Sequence, residues 1–151
     1  MTPTAETKIW QALRSRVATI AGYAANQFAW PMVPFAPPTA NGKPLPYLDV
    51  AQMPNRVIRP FVGSKENQDR PGILQIALMW PASEIGMGSG KTHPDVLMQQ
   101  AGEIAAHFGT DQKPAFQGTR VRITKAPDVA QPMRDDAYWR VPVSVFYETS
   151  P

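Results

Sequence analysis

Proline stands at 17 of the 151 positions, about twice the usual share of roughly 5 %. Each proline fixes φ, lacks an amide hydrogen, and disrupts a helix interior or a central strand ladder. Long helices therefore cannot dominate this chain, and strands and ordered loops must carry much of it. Eight of the prolines fall between residues 30 and 60, in runs such as Trp30-Pro31, Val33-Pro34, Pro37-Pro38 and Pro44-Leu45-Pro46. The Phe, Trp and Tyr residues interleaved there suit burial. The stretch reads as a long ordered loop laid over the surface, rather than as a Pro-rich ligand for an adaptor domain.

Two helices frame the loop and the strands. Thr2 is placed to cap the first, with Pro3 in its opening turn. Trp10, Leu13, Val17, Ile20 and Ala24 recur at helical spacing, which predicts a helix to about Ala21, with Gly22 as its stop. The basic residues ahead of a small apolar stretch also resemble a secretory leader. Glu6 and the helical periodicity favour an amphipathic helix and a cytoplasmic product instead. A second helix is predicted to open with a capping-box-like Thr92 to Asp95. It places Leu97, Ala101, Ile104, Ala105 and Phe108 on one stripe and ends at Gly109. His107 falls in its last turn, where a cation suits the helix dipole.

Extended segments are predicted at 28–30, 47–53, 57–61, 73–80, 119–125 and 137–147. Residues 73–80 are apolar on both faces, which suits a central strand. Val121 and Ile123 point inward in the next segment, with Arg120 and Arg122 outward. Trp139, Val141, Val143, Val145 and Tyr147 share one face of the last. Pro142 interrupts that strand and predicts an edge or a bulge there, or else an edge that meets a neighbouring subunit. The order α-β-β-β-α-β-β predicts an α+β fold: a mixed, mostly antiparallel sheet flanked by two α-helices, in one domain over 1–151.

The chemistry that the chain can perform is restricted. With no cysteine, disulfides, thiolate metal sites and a thiol nucleophile are excluded. The two histidines lie at the two ends of one predicted helix, too far apart to share a metal. Asp135 and Asp136 are neighbours, point to opposite faces of a strand, and read as a turn rather than a catalytic pair. Gly86-Met87-Gly88-Ser89-Gly90-Lys91-Thr92 sits between a strand and a helix, as a phosphate-binding loop does. The motif needs Gly at position 85, which is Ile, and Pro94 falls in the helix that should follow. A small nucleotide-binding enzyme built on residues 86–92 is the runner-up reading. The net charge is +3, and its charges are interleaved, as in Lys65-Glu66-Asn67-Gln68-Asp69-Arg70, so a DNA-binding stripe is not evident. No apolar run approaches the length of a membrane span. No catalytic, metal or cofactor-binding residue is assigned.

A series of landmarks, in order, is familiar. Phe28-Ala29-Trp30-Pro31-Met32-Val33-Pro34-Phe35-Ala36-Pro37-Pro38 follows the first helix, and Pro46-Tyr47-Leu48-Asp49-Val50 comes next. Arg70-Pro71-Gly72-Ile73-Leu74-Gln75-Ile76 runs through Trp80-Pro81 into a Gly-rich loop and a helix. The last is Asp135-Asp136-Ala137-Tyr138-Trp139-Arg140-Val141-Pro142-Val143-Ser144-Val145. In these landmarks the chain resembles the tail terminator, or tail completion, proteins of long-tailed bacteriophages, in their small prophage-encoded branch.

The resemblance implies a structural virion protein with no substrate or cofactor. Its copies would form a ring, typically a hexamer, on the last ring of tail-tube protein. That ring would end tube growth and present a surface to the head–tail connector or neck protein, with DNA only as cargo passing through the channel. It would be found in the virion tail, and in the host cytoplasm during assembly. A neighbouring head–tail connector role is the alternative within the same class. On this reading the polar segments 63–72 and 86–91 are expected as mobile contact segments, offering Lys65, Glu66, Asp69 and Arg70 in the first and Lys91 in the second. Arg120 and Arg122 form a second expected face, toward the channel.

Overall fold

A strand that is apolar on both faces needs a paired neighbour on each edge and cover on each side. In the computed structural model, which describes residues 2, 4–54, 70–84, 95–109, 114–116 and 118–149, residues 72–81 meet that need. The elements in chain order are α1 (Ala5–Ala18), β1 (Phe28–Ala29), β2 (Thr39–Ala40), β3 (Lys43–Pro44), β4 (Tyr47–Pro54) and β5 (Gly72–Pro81). There follow α2 (Asp95–His107), β6 (Ala115–Phe116), β7 (Thr119–Arg120), β8 (Arg122–Ile123), β9 (Asp128–Val129), β10 (Met133–Asp135) and β11 (Tyr138–Glu148). The main sheet has seven strands in the order β1-β4-β5-β11-β10, with β8 and β9 also paired to β11. Only β1 with β4 is a parallel pair in it; the other pairings are antiparallel. The fold is α+β.

The register across β4, β5 and β11 decides what is inside. Leu48, Leu78 and Val141 lie abreast, as do Val50, Ile76 and Val143. These side chains share one core with Ile9, Ala12, Leu13 and Val17 of α1 and with Leu97, Ala101 and Ile104 of α2. Both helices thus cover the same face of the sheet. Ala77 and Met79, on the other face, are buried but stand outside that core. The Arg140 guanidinium covers them instead. It crosses β5 to Asp49 at 3.0 Å and reaches Met79 Sδ at 3.6 Å. The small Ala77 side chain leaves room for this crossing.

At one end of the sheet the Tyr147 ring of β11 lies directly over Gly72 of β5. Its hydroxyl accepts a hydrogen bond from Gln52 Nε2 of β4 at 3.0 Å. One side chain therefore spans three strands, and the absence of a Cβ at residue 72 makes the crossing possible. Burial raises the Tyr147 phenol pKa above its ordinary value, against the opposing effect of the Gln52 hydrogen bond.

Several boundaries differ from the sequence reading, each for a local reason. The N-cap of α1 is Thr4, whose hydroxyl accepts from the Thr7 amide, not Thr2. The helix stops at Ala18, because the Thr19 hydroxyl and amide both turn back onto the Arg16 carbonyl. Within the Pro-rich stretch, β2 and β3 form a hairpin on Asn41-Gly42, both with positive φ, the pattern of a two-residue hairpin turn. The predicted strand 119–125 is two pieces. Val121 and Ile123 are buried and Arg120 and Arg122 exposed, as expected. The Val121 amide, however, bonds Pro114 O, so β7 pairs with β6 while β8 joins β11. The candidate strand 57–61 and the cap at Thr92 lie outside the described residues.

Pro142 is not on an edge but at a bulge, the other expectation for it: three residues, 130–132, stand opposite two, 141–142, on the outer side of β11. β11 pairs with β5 on one side and with β8, β9 and β10 on the other. The Pro142 carbonyl accepts from the Ala130 amide at 2.9 Å. Both polar groups of a strand residue point to the same side, so the missing donor faces the side of the broken neighbours. Pairing there passes from β10, at Met133↔Arg140, to β9, at Val143↔Val129. The proline sits at that join, and the β5 ladder is untouched.

Gly72→Ala places a methyl group against the Tyr147 ring. It should cost about 1–3 kcal/mol, the usual penalty for overpacking. A lower urea midpoint with an unchanged m-value is the expected result, checked by equilibrium unfolding.

Candidate functional site

The end of β11 gathers residues that are far apart in sequence. Thr149 is a buried polar residue, and its backbone exchanges two hydrogen bonds with Arg70, at 3.0 and 3.3 Å. Its hydroxyl donates to the Arg120 carbonyl at 2.6 Å. One residue earlier, Glu148 lies opposite Arg122 and forms an ion pair with it. Arg70, Arg120 and Arg122 are thereby brought round a single strand end.

Their charges are not equally available. Arg70 is half-buried, and its Nε stands 3.6 Å from the Glu6 carboxylate of α1. Arg122 is balanced by Glu148. Arg120 is exposed and has no ion pair among the described residues. Lys65, Glu66, Asp69 and Lys91 lie outside the described residues, as does the Gly-rich segment 86–91.

Beside this cluster, on the sheet face turned away from α1 and α2, lies a groove of ≈560 Å³, lined by Met53, Pro71, Gly72, Ile73, Thr124, Phe146, Tyr147 and Glu148. Met53, Ile73 and Phe146 lie abreast on β4, β5 and β11 and form its apolar floor. Lys125 stands over the Phe146 ring at 4.2 Å. Sequence reasoning did not find this groove. Its floor comes from alternate residues of three strands, and no one of them is unusual alone.

The helix ends meet at a second junction. The Arg16 guanidinium donates to the His107 carbonyl, at 3.2 Å from Nε and 2.8 Å from Nη2. His107 Nε2 lies 2.9 Å from the Arg16 carbonyl and 2.8 Å from Thr19 Oγ1. Burial lowers the His107 pKa; the bond to the Arg16 carbonyl opposes this, and the Arg16 charge adds to it. His107 is therefore not the cation at the end of α2. Arg16, from α1, supplies the positive charge to that helix terminus.

Among the described residues no group of three His, Asp or Glu side chains is arranged to hold a metal. Asp135 ends β10, and Asp136 has φ +54° in the turn to β11. The Asp136 carbonyl accepts from Arg134 Nε at 2.7 Å. The pair is a turn, as its adjacency suggested. No helix among the described residues is long and apolar enough to cross a membrane.

The family model described as phage tail terminator protein matches residues 8–147. The chain belongs to that family. The match spans α2, most of α1 and all but the last residue of the sheet, so it takes in Arg70, Arg120 and Arg122 and the groove floor together. The family is a structural one, and membership places this chain among phage tail components. Among curated proteins no relative matches. A solved structure that carries no functional name is similar at 23 % identity with a TM-score of 0.70, covering 97 % of this chain and 96 % of that one. That likeness concerns the fold.

The His107 junction sets a pH dependence for this tail terminator family member. Its lowered native pKa means that the unfolded chain binds a proton first as pH falls below about 6.5. Stability should fall from that pH downward until the native value is passed, and be insensitive to His107 above it. In His107→Gln that part of the acid slope should vanish, measured as urea-unfolding free energy between neutral and mildly acidic pH.

Proposed function

We propose that copies of this chain close into a ring, a hexamer, that seats on the last ring of the phage tail tube and ends its polymerisation. The opposite surface of the ring then receives the head–tail connector or neck protein. The match of the tail terminator family across residues 8–147 is the observation that carries this reading. The mechanism is capping by complementary shape and charge, with no covalent bond made or broken. The whole of 1–151 acts as one domain, in the virion tail once assembled and in the host cytoplasm before.

Subunits of a closed ring meet head to tail, so each presents two different surfaces. The sheet face turned away from α1 and α2 and the arginine-bearing end of β11 are two such different surfaces and support that requirement. Lys65, Glu66, Asp69 and Lys91 belong to the segments that meet the tube. Arg120 and Arg122 face the channel, where DNA passes. Weak association of free subunits is strengthened at the tube rim, where several contacts are made together.

Tail tubes grown with and without the purified protein, and compared by electron microscopy for length and end density, test the reading. Capped, shorter tubes are expected; tubes of unchanged length and bare ends would reject it. Lys65→Glu with Lys91→Glu should leave folding intact and weaken capping tenfold or more in the same assay. Arg70→Glu is less clean, because it also removes the contact with Glu6.

A further inference from the structure

The hairpin in the Pro-rich stretch carries a reactive dipeptide. Of the four asparagines, at 26, 41, 55 and 67, only Asn41 is followed by glycine. An asparagine side-chain amide is open to attack by the backbone nitrogen of the next residue, and a glycine there leaves that nitrogen uncrowded. Both residues are exposed. A Cβ on Gly42 would meet nothing within 4 Å. Neither the Asn41 side chain nor the Gly42 amide makes a hydrogen bond among the described residues. Electrophile and nucleophile are both bare to water.

The hairpin controls when they meet. Asn41 has φ +53° and Gly42 has φ +75°. In the left-handed conformation the following nitrogen points away from the side chain, so attack requires the turn to open. This hairpin opens readily. It is two residue pairs long, Thr39↔Pro44 and Ala40↔Lys43, forms a sheet of its own, and exposes Thr39, Ala40 and Lys43. A lone two-stranded hairpin is marginally stable, and such elements open locally while the rest of the fold stays closed. Asn26 makes the contrast. It is exposed too, but it lies in the helical turn Ala25–Gln27. The amide that would attack it, that of Gln27, is held by the Ala24 carbonyl at 2.9 Å.

We infer that Asn41 is a site of spontaneous deamidation and isomerisation, and that the product unlocks the β2–β3 hairpin. The Gly42 nitrogen gives up its proton to solvent base and bonds to Asn41 Cγ. The Cγ–Nδ2 bond breaks and ammonia leaves, closing a succinimide ring. Water then opens that ring. Addition at Cγ restores the backbone and leaves an aspartate. Addition at the main-chain carbonyl gives isoaspartate, whose backbone runs through Cβ and Cγ and is one atom longer. A two-residue turn fixes the register of its strands, so the longer path cannot keep Ala40 opposite Lys43. The Leu45 amide, which closes the base of the hairpin on the Pro38 carbonyl at 2.9 Å, is released as well. The main sheet is untouched, because β2 and β3 pair only with each other. The inference is independent of the ring reading.

The test incubates the full chain at mildly alkaline pH and maps it by peptide mass spectrometry. Isoaspartate is detected by enzymatic methylation, and hairpin opening by hydrogen–deuterium exchange. Position 41 should be modified well ahead of position 26, with isoaspartate among the products. Each event adds one negative charge to a chain of net charge +3, so the modified chain should separate on ion exchange. In the isoaspartate-bearing fraction, exchange over 39–45 should rise while β5 and β11 exchange as before. Asn41→Gly, which suits a left-handed turn and has no amide to lose, should fold normally and lose the acidic species. Asn41→Asp adds the charge without lengthening the backbone and should leave exchange over 39–45 unchanged. Asn41 intact after incubation, or modified no sooner than Asn26, would overturn the site. An isoaspartate fraction whose hairpin exchanges like the untreated chain, or an Asn41→Asp chain that exchanges as fast as that fraction, would overturn the unlocking.

Discussion

The register of β4, β5 and β11 is the constraint on which the rest of the molecule depends. Side chains alternate along a strand, so a slip of one residue would exchange the two faces completely. In the observed register Leu48, Leu78 and Val141 meet the helices, while Asp49, Ala77 and Pro142 face away. Shifted by one, β4 would direct Asp49 into an apolar core. Tyr147, Gly72 and Gln52 add a lock at one end, since only a glycine directly under the ring lets the hydroxyl reach Gln52. Packing of the helices, the arginine cluster and the groove floor all follow from that alignment.

Proline limits this sheet without dismantling it. Pro54 and Pro81 sit at the ends of β4 and β5, and Pro44 lies in a two-residue strand of a separate hairpin. Pro142 is the exception, inside the longest strand. It is tolerated because β11 has an unbroken partner on one side and only short pieces on the other. The piecewise edge formed by β8, β9 and β10 leaves room for a missing donor, and Ala130 still satisfies the Pro142 carbonyl. The same break keeps the outer side from offering a long straight edge for unwanted pairing.

A phage tail component has to be stable and still leave surface for its neighbours. Here stability is concentrated on one face of the sheet, where α1 and α2 share a core with three strands. The other face is held by sparse polar crossings such as Arg140 to Asp49. Half-exposed ion pairs of this kind contribute little to stability, but they cover Ala77 and leave the apolar floor of Met53, Ile73 and Phe146 open beside them. The separation of a packed face from an available one is consistent with a protein whose work is contact.

The amino-acid sequence by itself determined the elements whose signals are periodic: α1, α2, the central β5, the alternation of β11, and hence the α+β class. It also carried the family, through landmarks spread along the chain. It left Pro142 between an edge and a bulge and did not reveal the split of 119–125, because those depend on which partner each amide finds. The Asn41-Gly42 hairpin was legible in principle, as a dipeptide suited to two positive φ values, but the surrounding prolines obscured it. Tertiary structure alone decided that Arg70, Arg120 and Arg122 converge on one strand end and that Arg16 caps α2. It also decided that three ordinary residues on three strands make one groove. Periodicity reports which way a side chain faces within its own element, whereas a site is made by chain segments that only folding brings together.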